Sequence, residues 1–175
     1  MTCIVGIERT GASFIGGDSA VSDTWTVRQS SVRKVFRKGD YTIGYTTSFR
    51  MGQILEHMIP FPECKEPTED FMVRDFVESV RKGFKEFGYA KIESNEETGG
   101  QFIVGVQGTI FEIDSDYQVC RHADGLYAVG SGFSFALGAL KALDLLDPMQ
   151  RIATALEISS YFNAYVKPPF VILKV

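Results

Sequence analysis

Three residues near the amino terminus carry the most suggestive chemistry in this chain. Thr2 stands directly behind Met1, Asp18 follows it by sixteen residues, and Lys34 follows Asp18 by sixteen more. Removal of Met1 would leave Thr2 with a hydroxyl and a free α-amine on one residue, a nucleophile with its own base attached. An ordinary α-amine titrates at about 7.7–8, so a neighbouring cation would hold it unprotonated at neutral pH. Lys34 is the candidate cation. It lies among Val32, Val35 and Phe36, in an apolar stretch where an unpaired ammonium is expensive. Asp18 is the candidate counter-ion. Each residue also has a plainer reading. A threonine after methionine is common, an aspartate after two glycines suits a turn, and a lysine in a strand often guards a sheet edge.

The elements that must position these residues follow from periodicity. Thr2–Ile7 alternates and is β-branched, which predicts a strand. Arg9-Thr10-Gly11 predicts a hairpin turn, and Ala12–Gly17 the returning strand. The paired glycines ahead of Asp18 imply a close backbone approach or a special dihedral. Further strands are expected at Thr24–Val27, Val32–Arg37 (with Lys34 inside it) and Tyr41–Thr47. Ser48 is a suitable N-cap for a helix over Phe49–Leu55. After the proline-marked loop at Pro60, Pro62 and Pro67, Thr68-Glu69-Asp70 opens a long helix. Its Met72, Phe76, Val80, Phe84 and Phe87 recur at helical spacing and read as core. Glu93–Gly100 reads as a solvated acidic loop.

Phe102–Val106 and Thr109–Ile113 flank the hairpin pair Gln107-Gly108. A short strand at Gln118–Cys120 and another at Leu126–Val129 precede Gly130-Ser131-Gly132 and a helix over Phe133–Leu143. Asp147-Pro148 starts the last helix, with the aspartate as N-cap and proline at the first helical position. Its Ile152, Leu156 and Ser159 or Ser160 face inward, and Phe170–Leu173 is the final strand. Strands, two helices, strands, two helices and a strand make an α+β chain with antiparallel sheets. Two sheets face to face, each covered outside by a helix pair, would use every apolar face.

Composition narrows the function classes. With 175 residues a single domain over 1–175 is expected. The net charge of −4, with no basic stripe, argues against nucleic acid. No apolar run reaches the roughly 18–20 residues that span a bilayer. The start of the chain lacks a basic region, and Glu8 follows too soon for a signal peptide. Cys3, Cys64 and Cys120 are odd in number and form no metal spacing, which suits a reduced, cytoplasmic setting. His57 and His122 have no neighbouring ligands. Alternation turns Cys3 to the face opposite Thr2, as a buried thiol. Ser131 lacks the outer glycines of a nucleophile elbow, because Val129 and Phe133 hold those positions.

The pattern resembles the proteasome β-subunit family of N-terminal nucleophile (Ntn) hydrolases, and within it the HslV-type peptidases. The likeness is carried by Thr2-Cys3-Ile4-Val5-Gly6-Ile7, Gly16-Gly17-Asp18 and Val32-Arg33-Lys34-Val35, with both sixteen-residue separations. It resumes at Ile43-Gly44-Tyr45, Ala128-Val129-Gly130-Ser131-Gly132 and Ala155-Leu156-Glu157-Ile158. The resemblance implies a four-layer αββα sandwich, the Ntn hydrolase fold. It implies Thr2 as nucleophile and base, Asp18 and Lys34 as its electrostatic partners, and Ser131 as a hydrogen-bonding relay near the Thr2 nitrogen. The Thr47 backbone N–H would meet the oxyanion. It also implies peptide or unfolded-protein substrates, a homo-oligomeric ring, an ATPase unfoldase partner, and no metal or other cofactor.

The sequence departs from the family at three places. Thr46-Thr47-Ser48 replaces Ala-Gly-Gly, putting side chains beside the substrate groove, with Tyr45 and Met51 as candidate neighbours of the specificity pocket. Ser160-Tyr161 stands where the family tends to carry an aspartate that supports the serine and threonine. Asn163–Pro169 departs from the family's cation-binding turn. These departures keep two alternatives open: a ring-forming scaffold without catalysis, and an Ntn hydrolase of small amides.

Overall fold

The computed structural model describes residues 1–23 and 25–175. Strands β1 (Ile4–Ile7) and β2 (Phe14–Gly17) form the first hairpin. β12 (Leu126–Val129) joins on one side and β13 (Val171–Lys174) on the other, giving an antiparallel sheet of order β12-β1-β2-β13. The second antiparallel sheet has the order β11-β10-β9-β6-β5. Its strands are β5 (Val35–Lys38), β6 (Tyr41–Tyr45), β9 (Phe102–Val106), β10 (Thr109–Ile113) and β11 (Val119–Cys120). Two small hairpins stand apart, β3 (Ala20–Ser22) with β4 (Val27–Gln29), and β7 (Lys91–Glu93) with β8 (Glu96–Thr98).

Three separate apolar layers define the sandwich. Ile4, Ile15, Val35, Ile103, Ile110, Tyr127 and Val129 fill the space between the sheets. Cys3, Val5 and Ile7, on the opposite face of β1, pack with Ala136, Leu140, Ile152 and Leu156 of helices α4 (Phe133–Ala142) and α5 (Pro148–Phe162). On the far side, Tyr41, Ile43 and Tyr45 pack with α1 (Phe49–His57), and with α3 (Val77–Glu86) and the segment leading into it. Period-two alternation thus sends each strand's side chains into two different layers. The α+β expectation is met by an αββα stack.

Glycine lets the layers approach closely. A Cβ on Gly16 would lie 2.5 Å from Ile152 Cγ2 of α5, and one on Gly17 would lie 2.5 Å from Ile4 Cδ1. The close approach expected of this pair is therefore its role.

The local signals act as their chemistry requires. Ser48 caps α1, its hydroxyl accepting from Arg50 N at 3.1 Å. Thr68 caps α2 (Glu69–Phe71), which runs through a π-helical stretch, Met72–Phe76, into α3. Met72, Phe76, Val80 and Phe84 are fully buried. Asp147 caps α5 with Pro148 in the first turn. Gln107 and Gly108 both take positive φ, 50° and 82°, in the tight β9–β10 turn.

Three expectations are corrected. Lys34 lies just ahead of β5 rather than inside it, although its carbonyl still accepts from Tyr45 N at 3.0 Å. The strand expected at Thr24–Val27 begins only at Val27, and Thr24 lies outside the described residues. The acidic stretch at Glu93–Gly100 is largely the β7–β8 hairpin rather than a plain loop, because Lys91–Glu93 and Glu96–Thr98 pair with Ser94-Asn95 turning at positive φ. Of the two candidate inward serines of α5, Ser159 is the buried one, which meets that expectation. No helix is long and apolar enough to cross a membrane among the described residues.

Candidate active site

Thr2 is threaded between two loops that extend the first sheet. On one side Gly132 N donates to Thr2 O at 3.2 Å, and on the other Asp18 N donates to Cys3 O at 3.3 Å. The backbone of β1 therefore delivers Thr2 between the end of β2 and the end of β12. Thr2 is buried, whereas Met1 is half exposed.

Asp18 is the hub on the β2 side. Its Oδ1 accepts from Cys3 N at 3.0 Å and its Oδ2 from Ala20 N at 2.9 Å. The same two oxygens accept from Lys34 Nζ at 3.1 and 3.0 Å. Both side chains are almost completely buried. A buried carboxylate with charge-assisted and backbone donors is fully satisfied and rigidly held. Burial pulls the Lys34 ammonium below its usual range, against the opposing pull of Asp18.

Lys34 has a third partner, the Met1 carbonyl, at 3.3 Å. The Thr2 hydroxyl donates to that carbonyl at 2.6 Å. The terminal amine is on Met1 in this chain. Partial burial, then the Lys34 charge, hold it below the usual α-amine value, against Asp18. The Thr2 nitrogen is here a peptide N–H, and it donates to Ser131 Oγ at 3.2 Å. The Ser131 hydroxyl in turn donates to Thr2 O at 3.3 Å. The four residues Thr2, Asp18, Lys34 and Ser131 thus meet at one place, across sequence separations of up to 129 residues.

A cleft of about 130 Å³ opens beside Thr2, lined by Ala20–Ser22, Lys34 and Tyr45–Phe49. Thr47 takes φ 58°, the left-handed region, which is unusual for a β-branched residue. Its hydroxyl accepts from Gln101 N at 3.3 Å, and the Thr46 hydroxyl donates to Gln101 O at 2.9 Å. Both hydroxyls are thereby tied to Gln101, the residue ahead of β9. The Thr47 N–H makes no internal hydrogen bond among the described residues. Ser48 spends its hydroxyl on the α1 cap. The Tyr45 ring lies over Gly52 of α1, where a Cβ would come within 2.0 Å of it, so only part of Tyr45 reaches the cleft. Met51 is corrected: it is fully buried against the α1–α3 layer and does not line the cleft.

Cys3 points away from Thr2 into the α4–α5 layer, and burial pushes its thiol up to about 12. His57 and His122 are each beside a glutamate, Glu56 and Glu112, away from Thr2. Among the described residues no three His, Cys, Asp or Glu side chains gather as a metal site. In the Asn163–Pro169 segment the Lys167 ammonium donates to Ser160 O at 3.2 Å, so a side-chain cation serves the end of α5. The larger hollow of the molecule, about 940 Å³, lies at the opposite ends of the strands, between the turns at Glu8–Gly11, Gln107–Thr109 and Arg121–Gly125.

Two residues that sequence reasoning did not single out for the site join it: Ser159 was read as core only, and Asn163 as a family departure. Ser159 Oγ donates to Gly132 O at 3.1 Å and Asn163 Nδ2 to Ser131 O at 2.9 Å. Ser159 lies in the last turn of α5 and Asn163 caps its C-terminus, and two polar residues together at that helix end were the available signal.

No family model matches the sequence. The chain is 26% identical over 177 aligned positions to the ATP-dependent protease subunit HslV of Campylobacter hominis, covering 95% of this chain and 93% of the relative. Among solved structures, Thiobacillus denitrificans BPH in complex with epoxomicin superimposes with a TM-score of 0.80 at 20% identity, over 99% of this chain and 98% of the other. The eukaryotic HslV of Trypanosoma brucei superimposes with a TM-score of 0.71 at 21% identity, with the same coverage.

Proposed function

We propose that this chain, similar in sequence and fold to HslV-type N-terminal nucleophile hydrolases, is a threonine peptidase of that proteasome-like family. Its nucleophile is Thr2, which becomes the first residue once Met1 is removed. The observation that carries this reading is the convergence at Thr2 of Ser131 Oγ, on its nitrogen, and of the Asp18-paired Lys34 ammonium, on the same Met1 carbonyl that the Thr2 hydroxyl bonds.

With Met1 gone, the Thr2 nitrogen is an amine that accepts the proton of its own hydroxyl while Oγ attacks the peptide carbonyl. The positive charge of Lys34 keeps that amine unprotonated, and Ser131 holds it in place. The tetrahedral oxyanion is met by the free Thr47 N–H, a type of donor worth about 2.7–4 kcal/mol. The protonated amine then passes its proton to the leaving nitrogen as the C–N bond breaks. An ester remains on Thr2, and water, activated by the same amine, releases it. While Met1 is present the nitrogen is an amide without basicity, so the unprocessed chain is blocked.

The assembly proposed with this chemistry is a homo-oligomeric ring that encloses the Thr2 sites, fed with unfolded chains by an ATPase partner in the cytoplasm. Free Cys3, Cys64 and Cys120 suit a reducing compartment. A second reading, hydrolysis of small amides by the same nucleophile, is favoured by the small cleft of about 130 Å³.

Intact mass before and after treatment with epoxomicin, a peptide epoxyketone that needs both the hydroxyl and the free amine, tests this reading. Loss of Met1 and one adduct is the expected result. Loss of Met1 without an adduct would shift the assignment to small amides. Retained Met1 and no adduct would favour the non-catalytic scaffold.

A further inference from the structure

The last turn of α5 ends against the loop that touches Thr2. Ser159, in the last turn of α5, and Asn163, the extended residue that caps its C-terminus, bond two successive carbonyls of the β12–α4 loop, those of Gly132 and Ser131. That loop touches Thr2 three times: Ser131 Oγ meets both the Thr2 nitrogen and its carbonyl, and Gly132 N donates to the same carbonyl. Ser131 itself is exposed and flanked by Gly130 and Gly132; glycine neighbours restrict it little, and within the loop a turn bond from Phe133 N to Gly130 O at 3.1 Å closes over it. The amide of Asn163 has one orientation that satisfies both ends. Oδ1 accepts from Tyr165 N at 2.9 Å, which leaves Nδ2 as the donor to Ser131.

We propose that Ser159 and Asn163 are positioning residues for the nucleophile, pinning Ser131–Gly132 from α5 so that Ser131 Oγ stays within hydrogen-bond reach of the Thr2 nitrogen. This rests on the reading of Thr2 as the nucleophile. The pin works by donation, not by charge. A carboxylate at position 163 would keep the Tyr165 contact but could not donate to Ser131 O. It would also bring negative charge towards the Thr2 amine, which favours the protonated, non-basic form. Ser159 sits in the last turn of α5, and Asn163 at its C-cap is tied to that turn by its own N–H, which donates to Ser159 O at 2.9 Å, the support a site needs to hold its geometry.

Asn163→Asp is the decisive variant, because it removes the donor and keeps the acceptor. Amide hydrogen exchange, resolved by NMR, reads the pin without needing activity. Protection of Gly132 N–H is expected to fall at least about tenfold relative to Ile103 and Val104 in β9, while Cys3 N–H, held by Asp18, follows the β9 amides. In the processed protein kcat is expected to fall about ten- to a hundredfold with KM nearly unchanged. The acid limb of the pH–rate profile should move to higher pH. Ser159→Ala should reproduce the loss of Gly132 protection without moving the pH profile. Gly132 protection that follows the β9 amides in both variants would overturn the proposal. So would Asn163→Asp turnover at or above that of the parent chain. A parent chain that is processed but turns over no peptide would overturn the peptidase reading, and the exchange measurement would still decide the pin.

Discussion

Lys34 Nζ lies within 3.1 Å of both carboxylate oxygens of Asp18, and neither side chain reaches solvent to any extent. Asp18 spends its remaining acceptor capacity on the backbone of Cys3 and Ala20, on either side of the Thr2 pocket. The pair is therefore a strut between the first strand and the start of β5, as well as a source of charge.

A buried pair broken on one side leaves an uncompensated charge. Lys34→Ala is expected to lower the unfolding free energy by about 3–5 kcal/mol. The double variant Asp18→Asn/Lys34→Met should cost less than the two single changes together. Urea denaturation of the parent chain, Asp18→Asn, Lys34→Met and the double variant measures this, and strictly additive losses would mean that the pair is not coupled.

Thr47 occupies a left-handed backbone position that costs a non-glycine residue about 1–3 kcal/mol. Its hydroxyl offsets part of this through contacts with Gln101 N and the Thr46 hydroxyl, each a bond of about 0.5–1.5 kcal/mol. Thr47→Gly should therefore be as stable as the parent or more so, by up to about 1 kcal/mol. Thr47→Val, which keeps the strain and loses the hydrogen bond, should melt lower. A stability order with Val above Gly would refute the strain.

The Cys3 thiol supplies a pH signature. Its folded-state value is raised from about 9 to about 12 by burial, so above pH 9 the unfolded chain binds fewer protons than the folded one. The stability contributed by burying the neutral thiol is complete below pH 9. It declines by about 1.4 kcal/mol per pH unit as pH rises towards the folded value. Denaturation of the parent chain and Cys3→Ala between pH 8 and about 11 should show a difference that changes with this slope. A pH-independent difference would exclude it.

Gly16 sets the distance between β2 and α5, and through α5 the position of Ser159 and Asn163. Its Cβ would come within 2.5 Å of Ile152 Cγ2, a stiff β-branched neighbour. Gly16→Ala is expected to cost about 1–3 kcal/mol by overpacking, and the double variant Gly16→Ala/Ile152→Ala should show partial recovery as a loss smaller than the sum of the two single losses. Thermal melts of the single and double variants test this, and no recovery would locate the strain elsewhere.

Much of the architecture is legible between near neighbours in the chain. Alternation in β1, the caps at Ser48, Thr68 and Asp147, and the Met72–Phe84 stripe are local patterns of this kind. The spacing of Thr2, Asp18 and Lys34 was also legible, because β1, the turn and β2 are contiguous and their register carries Asp18 back to Thr2. The tertiary structure decided what lies across long separations. It placed Ser131 on the Thr2 nitrogen, put Ser159 and Asn163 behind Ser131, and turned Met51 into the core rather than the cleft. It also moved Lys34 off the strand and put Thr47 at a positive φ. These outcomes depend on how helices α1 and α5 pack against the two sheets. Periodicity tells which face of a helix is buried, but it does not tell which backbone carbonyl that face will meet.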